Sequence, residues 1–132
     1  MQIEAYFHQH QLWIDACALV QSFNVSFDKR GTHQGVIRNE ILFMNGSMLY
    51  VREFIDVESG VERLMYSYHY VDSSNQLIFR YDNTGHHKKL NLPTYPHHKH
   101  VGQSNTIAAS TAPDFAAVLR EIENEVVLSE PF

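Results

Sequence analysis

Residues 36–57 read Val36-Ile37-Arg38-Asn39-Glu40-Ile41-Leu42-Phe43-Met44-Asn45-Gly46-Ser47-Met48-Leu49-Tyr50-Val51-Arg52-Glu53-Phe54-Ile55-Asp56-Val57. Two β-rich runs flank Asn45-Gly46, the dipeptide that best fits a type I′ hairpin turn. The pattern predicts paired antiparallel strands over 36–44 and 48–57. In the second, Leu49, Val51, Ile55 and Val57 share one face, and Tyr50, Arg52, Phe54 and Asp56 the other.

The reading extends in both directions from this hairpin. Upstream lies a polar loop over 29–35, and before it the alternation of Leu19, Gln21, Phe23, Val25 and Phe27 with Val20, Ser22, Asn24, Ser26 and Asp28 predicts a strand. Ile3, Tyr6, Phe7, His10 and Trp13 recur every three or four residues and predict a short amphipathic helix. Downstream, Glu58-Ser59-Gly60 turns the chain into a strand over 61–71, with Glu62, Leu64, Tyr66, Tyr68 and Tyr70 on one side and Arg63, Met65, Ser67 and His69 on the other. Asp72-Ser73-Ser74-Asn75 is a turn cluster, followed by a strand over 77–81 that ends in Asp82-Asn83-Thr84-Gly85.

From His86 to Ala109 no period holds, and Pro93 and Pro96 interrupt it, so this stretch reads as a long loop of the functional or mobile kind. Ser110-Thr111-Ala112-Pro113-Asp114 offers a helix start, and Phe115, Val118, Leu119, Ile122 and Val126 lay an apolar stripe along the helix that follows. The expected fold is α+β, a curved antiparallel meander of about five to six strands packed by a C-terminal helix, with a short N-terminal helix. One domain over 1–132 is expected.

The composition agrees with a packed core: 44% of the 132 residues are hydrophobic and 19% charged, outside the range of disordered chains. A single cysteine, Cys17, allows no internal disulfide, and the N-terminus lacks a secretory pattern, which makes the cytoplasm the default location. No apolar run approaches the roughly 20 residues needed to cross a bilayer, so no membrane role is expected. A net charge of −5 argues against coating nucleic acid through bulk positive charge, though not against a local basic site. Of nine histidines, five fall between His86 and His100, beside Lys88, Lys89 and Lys99.

Arg80-Tyr81-Asp82-Asn83, His86-His87 and Pro96-His97-His98-Lys99-His100 bring a guanidinium, a phenol, a carboxylate and several imidazoles close together in the chain. Imidazoles trade protons near neutral pH, and Arg or Lys stabilises charge on phosphate, the parts that a metal-independent ribonuclease requires. A metal reading uses the same atoms: three of His86, His87, His97, His98 and His100, with Asp82, would hold zinc or another transition ion. Their spacing matches no defined zinc signature, and on extended backbone only alternate residues such as His98 and His100 share a face. The plainer reading makes individual histidines solvated loop residues or strand-end caps. Tyr66, Tyr68 and Tyr70 read as core packing before they read as a base-stacking platform. Arg38, Glu40, Arg52, Glu53 and Arg63 are expected to pair across strands on a solvated face.

Phe79-Arg80-Tyr81-Asp82-Asn83, His86-His87 and above all Pro96-His97-His98-Lys99-His100-Val101-Gly102 resemble the TumE-type toxins of toxin–antitoxin modules. The resemblance runs from Tyr68 to the C-terminus, whereas 1–44 gives little to match. It implies a small bacterial protein that inhibits growth when free and is held inactive by an antitoxin of helix-turn-helix type. It also implies that Arg80, Tyr81, Asp82, His97, His98, Lys99 and His100 matter, without assigning them roles.

The leading expectation is a toxin acting on RNA without metal or cofactor. His97, His98 or His100, with Asp82, would supply acid–base catalysis, and Arg80, Tyr81, His86, His87 and Lys99 would bind substrate. Two alternatives stand beside it: a non-enzymatic interaction module with a His-rich binding loop, and a His-based metal-dependent hydrolase. Edge strands of a meander also make a homodimer a reasonable expectation.

Overall fold

The computed structural model describes residues 1–85, 92–102 and 106–129, with side chains as far as 126. Among the described residues, helix α1 (Ile3–Ala16) precedes seven strands and helix α2 (Phe115–Ser129) follows them. The strands are β1 (Val20–Lys29), β2 (Gln34–Phe43), β3 (Met48–Asp56), β4 (Glu62–Val71), β5 (Leu77–Asp82), β6 (His98–Val101) and β7 (Thr106–Ala109). They form one open antiparallel sheet in the order β1 to β7, each strand beside its neighbour in sequence. The α+β meander is therefore present, with more strands than the sequence suggested, because β6 and β7 arise inside the stretch read as a loop. No helix among the described residues is long and apolar enough to cross a membrane.

Both helices pack on one face of the sheet. In α2 the stripe Phe115, Val118, Leu119, Ile122 and Val126 is buried against Val51, Tyr66, Tyr68, Tyr70, Phe79 and Tyr81. Each such apolar side chain removed from water contributes roughly 1.5–3 kcal/mol. The tyrosine stripe is thus core, between 0% and 1% exposed. Asp114 starts the helix by accepting the Ala117 N–H at 2.8 Å, an N-cap that satisfies one of the first-turn donors.

Helix α1 lies against β2 and β3 through Ile3, Tyr6 and Phe7. Gly35 permits that approach, since a Cβ there would sit 2.5 Å from the Phe7 ring and 2.8 Å from Ile3. Trp13 lies where the helices meet, 6.4 Å from the Tyr6 ring and 6.2 Å from Phe115.

Two local expectations change. Asn45-Gly46 does make the β2–β3 hairpin, but only Gly46 takes a positive φ, whereas a type I′ turn needs two. Asn45 instead accepts the Ser47 N–H and hydroxyl through its Oδ1. In β4, Met65 pairs with Phe54 and Arg63 with Ile55, leaving Leu64 as an extra residue in the ladder. That bulge turns Arg63 to the helix side, where its guanidinium lies over the Tyr66 ring and donates to the carbonyls of Ala112 and Pro113. Glu53 is also interior and accepts hydrogen bonds from Tyr6 and Tyr68. The expected solvated ion-pair face does not form, because these two residues point inward and the register sets Arg38 opposite Arg52.

Candidate functional site

Strand alternation divides the sequence cluster between the two faces of the sheet. Cross-strand partners share a face, so Asn39, Val51, Tyr68, Tyr81, Lys99 and Ala108 form one row on the helix side. Tyr81 is buried there and donates to Glu121 at 2.7 Å, while Lys99 stands over its ring and 3.6 Å from Glu121. Burial first, and then the Glu121 carboxylate, push the Tyr81 phenol well above its ordinary value. His97 stacks on Tyr66 on that side and shares a 2.8 Å hydrogen bond with its hydroxyl. Burial, with the charges of Arg63 and His98, lowers the His97 value. Tyr81, Lys99 and His97 therefore lie on the helix side of the sheet, away from the remaining candidates. His86 and His87 lie outside the described residues.

The opposite face carries two other rows. One runs Arg38, Arg52, Ser67, Asp82, His98 and Ala109; the other runs Glu40, Tyr50, His69, Arg80, His100 and Ile107. Asp82, His98 and His100 meet where β5 and β6 adjoin, the first two 2% exposed and the third 9%. The His98 Nε2 lies 2.8 Å from Asp82 Oδ1, and the His100 Nε2 lies 3.6 Å from Asp82 Oδ2. The imidazoles approach edge to face, with centroids 4.9 Å apart.

Each group is oriented by a neighbour. Asp82 Oδ1 accepts the Thr84 N–H at 3.0 Å and the Thr84 hydroxyl at 2.9 Å, and Oδ2 accepts the Arg80 Nε–H at 3.0 Å. Burial works to raise this carboxyl, but the Thr84 and Arg80 hydrogen bonds and the charge of His98 outweigh it and hold Asp82 below its ordinary value. Arg80 also donates to His69 Nδ1 at 3.2 Å. His69 is lowered first by burial, then by Arg80 and His100, which favours the neutral ring that accepts that bond. His98 Nδ1 lies 2.9 Å from the Pro96 carbonyl, which can only accept, so Nδ1 bears the hydrogen and Nε2 faces Asp82.

One ligand atom from each of Asp82, His98 and His100 lies within 4.8 Å of the other two, beside a half-buried guanidinium. Such a set can transfer protons, neutralise a phosphate or hold a cation. The sequence profile described as Toxin TumE matches residues 10–128, from inside α1 to the end of α2. The chain belongs to the TumE toxin family. Its family places it as the toxin component of a toxin–antitoxin module, with an antitoxin as partner. No curated protein matches this chain, and neither does any solved structure.

The match reaches well beyond the half that resembled TumE toxins by motif, taking in most of 1–44. In that part the TumE-family chain carries a buried polar residue outside the His-rich cluster. His10 is 0% exposed, stacked on Phe115 at 4.1 Å, with the Asn39 amide donating to its Nε2 at 3.2 Å. Burial lowers its value to about 3, so the ring is neutral. Its place in the stripe Ile3, Tyr6, Phe7, His10 was the available signal.

Proposed function

We propose that this toxin cleaves RNA on the polar face of its sheet, around Asp82, His98 and His100. Arg80 binds the phosphate next to the bond that breaks, and the imidazole–carboxylate group activates the attacking oxygen. The observation that carries this reading is the convergence of these four side chains on a face that also bears Arg52 and Arg38 in the Asp82 row. Like charges directly opposite across a ladder are destabilising, and an anion lying over the Arg38–Arg52 pair would relieve that repulsion. From β2 to β6 the row spans four strand spacings, about 19 Å, which is room for several nucleotides of one strand. Glu40 is the one acidic group in the neighbouring row.

The toxin would act in the cytoplasm, held by an antitoxin of helix-turn-helix type, and the free edge of β1 would pair two copies. The test incubates purified full-length protein with ribosomal, messenger and transfer RNA, beside Arg80→Ala and His100→Ala variants of equal fold. Cleavage by the wild type that falls at least tenfold in both variants supports the reading. RNA left intact by the wild type, with growth arrest retained in both variants, would assign toxicity to a binding surface instead.

A further inference from the structure

We propose that Asp82, His98 and His100 form a binding site for one divalent transition-metal ion of the zinc, manganese or cobalt class. The inference builds on the site of the RNA-cleavage reading and names what activates the attacking oxygen there, but it stands or falls on ion binding.

Three independent features support it. The first is the donor set, two imidazoles and a carboxylate grouped within 4.8 Å, the ligand types with which such ions are held in facial sites that leave positions for water or substrate. The second is spacing. Ligands about 2.1 Å from one ion stand roughly 3.0 Å apart at right angles and roughly 3.4 Å apart at the tetrahedral angle. The His98 Nε2 lies 2.8 Å from Asp82 Oδ1 and the His100 Nε2 3.6 Å from Asp82 Oδ2, each near those values, and one ligand atom from each of the three residues falls within 4.8 Å of the others.

The third feature is the direction of the His98 proton. Its Nδ1–H is committed to the Pro96 carbonyl, which leaves Nε2 as the atom that faces a carboxylate oxygen 2.8 Å away. Two acceptors at that distance need a positive centre between them, either a second proton on the ring or a cation. A backbone carbonyl on the far nitrogen is the support that metal-bound histidines ordinarily have, and the ligating carboxylate is ordinarily hydrogen-bonded as well. Asp82 has that support from Thr84 and Arg80.

The ion would replace the proton between His98 and Asp82, and a water bound to it would lose its own proton more readily beside the phosphate held by Arg80. His97 takes no part, because it is turned to Tyr66 on the other face.

The experiment uses full-length protein purified without a histidine tag, stripped with chelator and titrated with Co²⁺ while the visible d–d absorption is followed. One equivalent is expected to bind. Affinity should fall at least tenfold in His100→Ala and in His98→Asn, each checked for an unchanged circular dichroism spectrum, and should be kept in His97→Ala. His98→Asn retains a polar side chain in case His98→Ala fails to fold. Equal affinity in wild type and both site variants overturns the proposal, as does loss of binding in His86→Ala/His87→Ala with retention in His100→Ala. RNA cleavage by stripped protein at the undiminished rate overturns the ion's role and leaves the RNA reading standing. Stoichiometric binding that depends on His98 and His100, with every RNA intact, sustains the ion site and removes the RNA reading.

Discussion

Replacing His10 with phenylalanine should make the fold less sensitive to acid. The His10 ring is sealed between α1 and Phe115, and its Nδ1 has no hydrogen-bond partner among the described residues. Burial lowers its value from 6.5 to about 3, so between pH 7 and pH 5 the unfolded chain takes up a proton that the folded chain refuses. The depressed value fixes the sign: the stabilisation is complete above the unfolded value and is lost as pH falls toward the folded one. Integrating the linkage relation over that window gives a loss of about 2 kcal/mol from this residue alone. His10→Phe keeps an aromatic ring on Phe115 but leaves the Asn39 amide without its acceptor, at a cost of about 1–3 kcal/mol at every pH. That offset cancels when each protein is compared with itself. Urea unfolding at pH 7 and pH 5 should therefore show the wild type losing about 2 kcal/mol more than His10→Phe, the other histidines being common to both. Equal losses in the two proteins would refute the argument, because His10 would then be free to take a proton in the folded state.

Glu53 gives the opposite sign: burial raises its carboxyl, partly offset by the hydrogen bonds from Tyr68 and Tyr6, so its folded form is favoured at low pH and is penalised as pH rises. The Tm advantage of Glu53→Gln over wild type should accordingly grow between pH 5 and pH 8, and a constant difference would count against it. Gly35→Ala must displace the Phe7 ring or Ile3, at a cost of about 1–3 kcal/mol in chemical denaturation, with no loss if α1 can slide. Arg38→Ala/Arg52→Ala should raise stability slightly by removing opposed like charges, yet weaken RNA binding and flatten its dependence on log salt by about one to two. Unchanged salt dependence would show that nucleic acid does not cross this row. Lys99→Ala should leave growth arrest in place, since Lys99 lies on the helix side with Tyr81 and Glu121; loss of arrest with the fold intact would put the site on the wrong face.

Much of this architecture was legible from residue order. Strand β1 shows itself by its alternation, β2 to β5 as β-rich runs bounded by turn signals, and α2 because Phe115, Val118, Leu119, Ile122 and Val126 keep helical spacing without a break. β6 and β7 are four residues each, too short to establish a period, and Pro96 just upstream suggested a loop. The Leu64 bulge was invisible for a different reason: an extra residue changes facing without changing composition, so Arg63 read as exposed when it anchors the entry to α2. The candidate cluster was legible as a neighbourhood in the sequence, and strand alternation divides it between the two faces of the sheet. Once His98–Val101 is a strand, alternation sends His98 and His100 one way and Lys99 the other, as it separates Arg80 and Asp82 from Tyr81. The Arg38–Arg52 row depended on register across strands distant in sequence, which no local pattern records.

The chain's single tryptophan gives these experiments a built-in reporter with a limited view. Trp13 sits at the junction of α1 and α2, against Tyr6 and Phe115, with the whole sheet between it and Asp82. Its emission should follow whether the two helices are docked and stay blind to events on the Asp82 face. A ligand that shifts tryptophan fluorescence has therefore moved the helix layer, and one that binds while leaving that signal flat has been accommodated by the opposite side of the sheet alone. The same optical channel can thus separate an antitoxin that grips the helices from one that covers the polar rows.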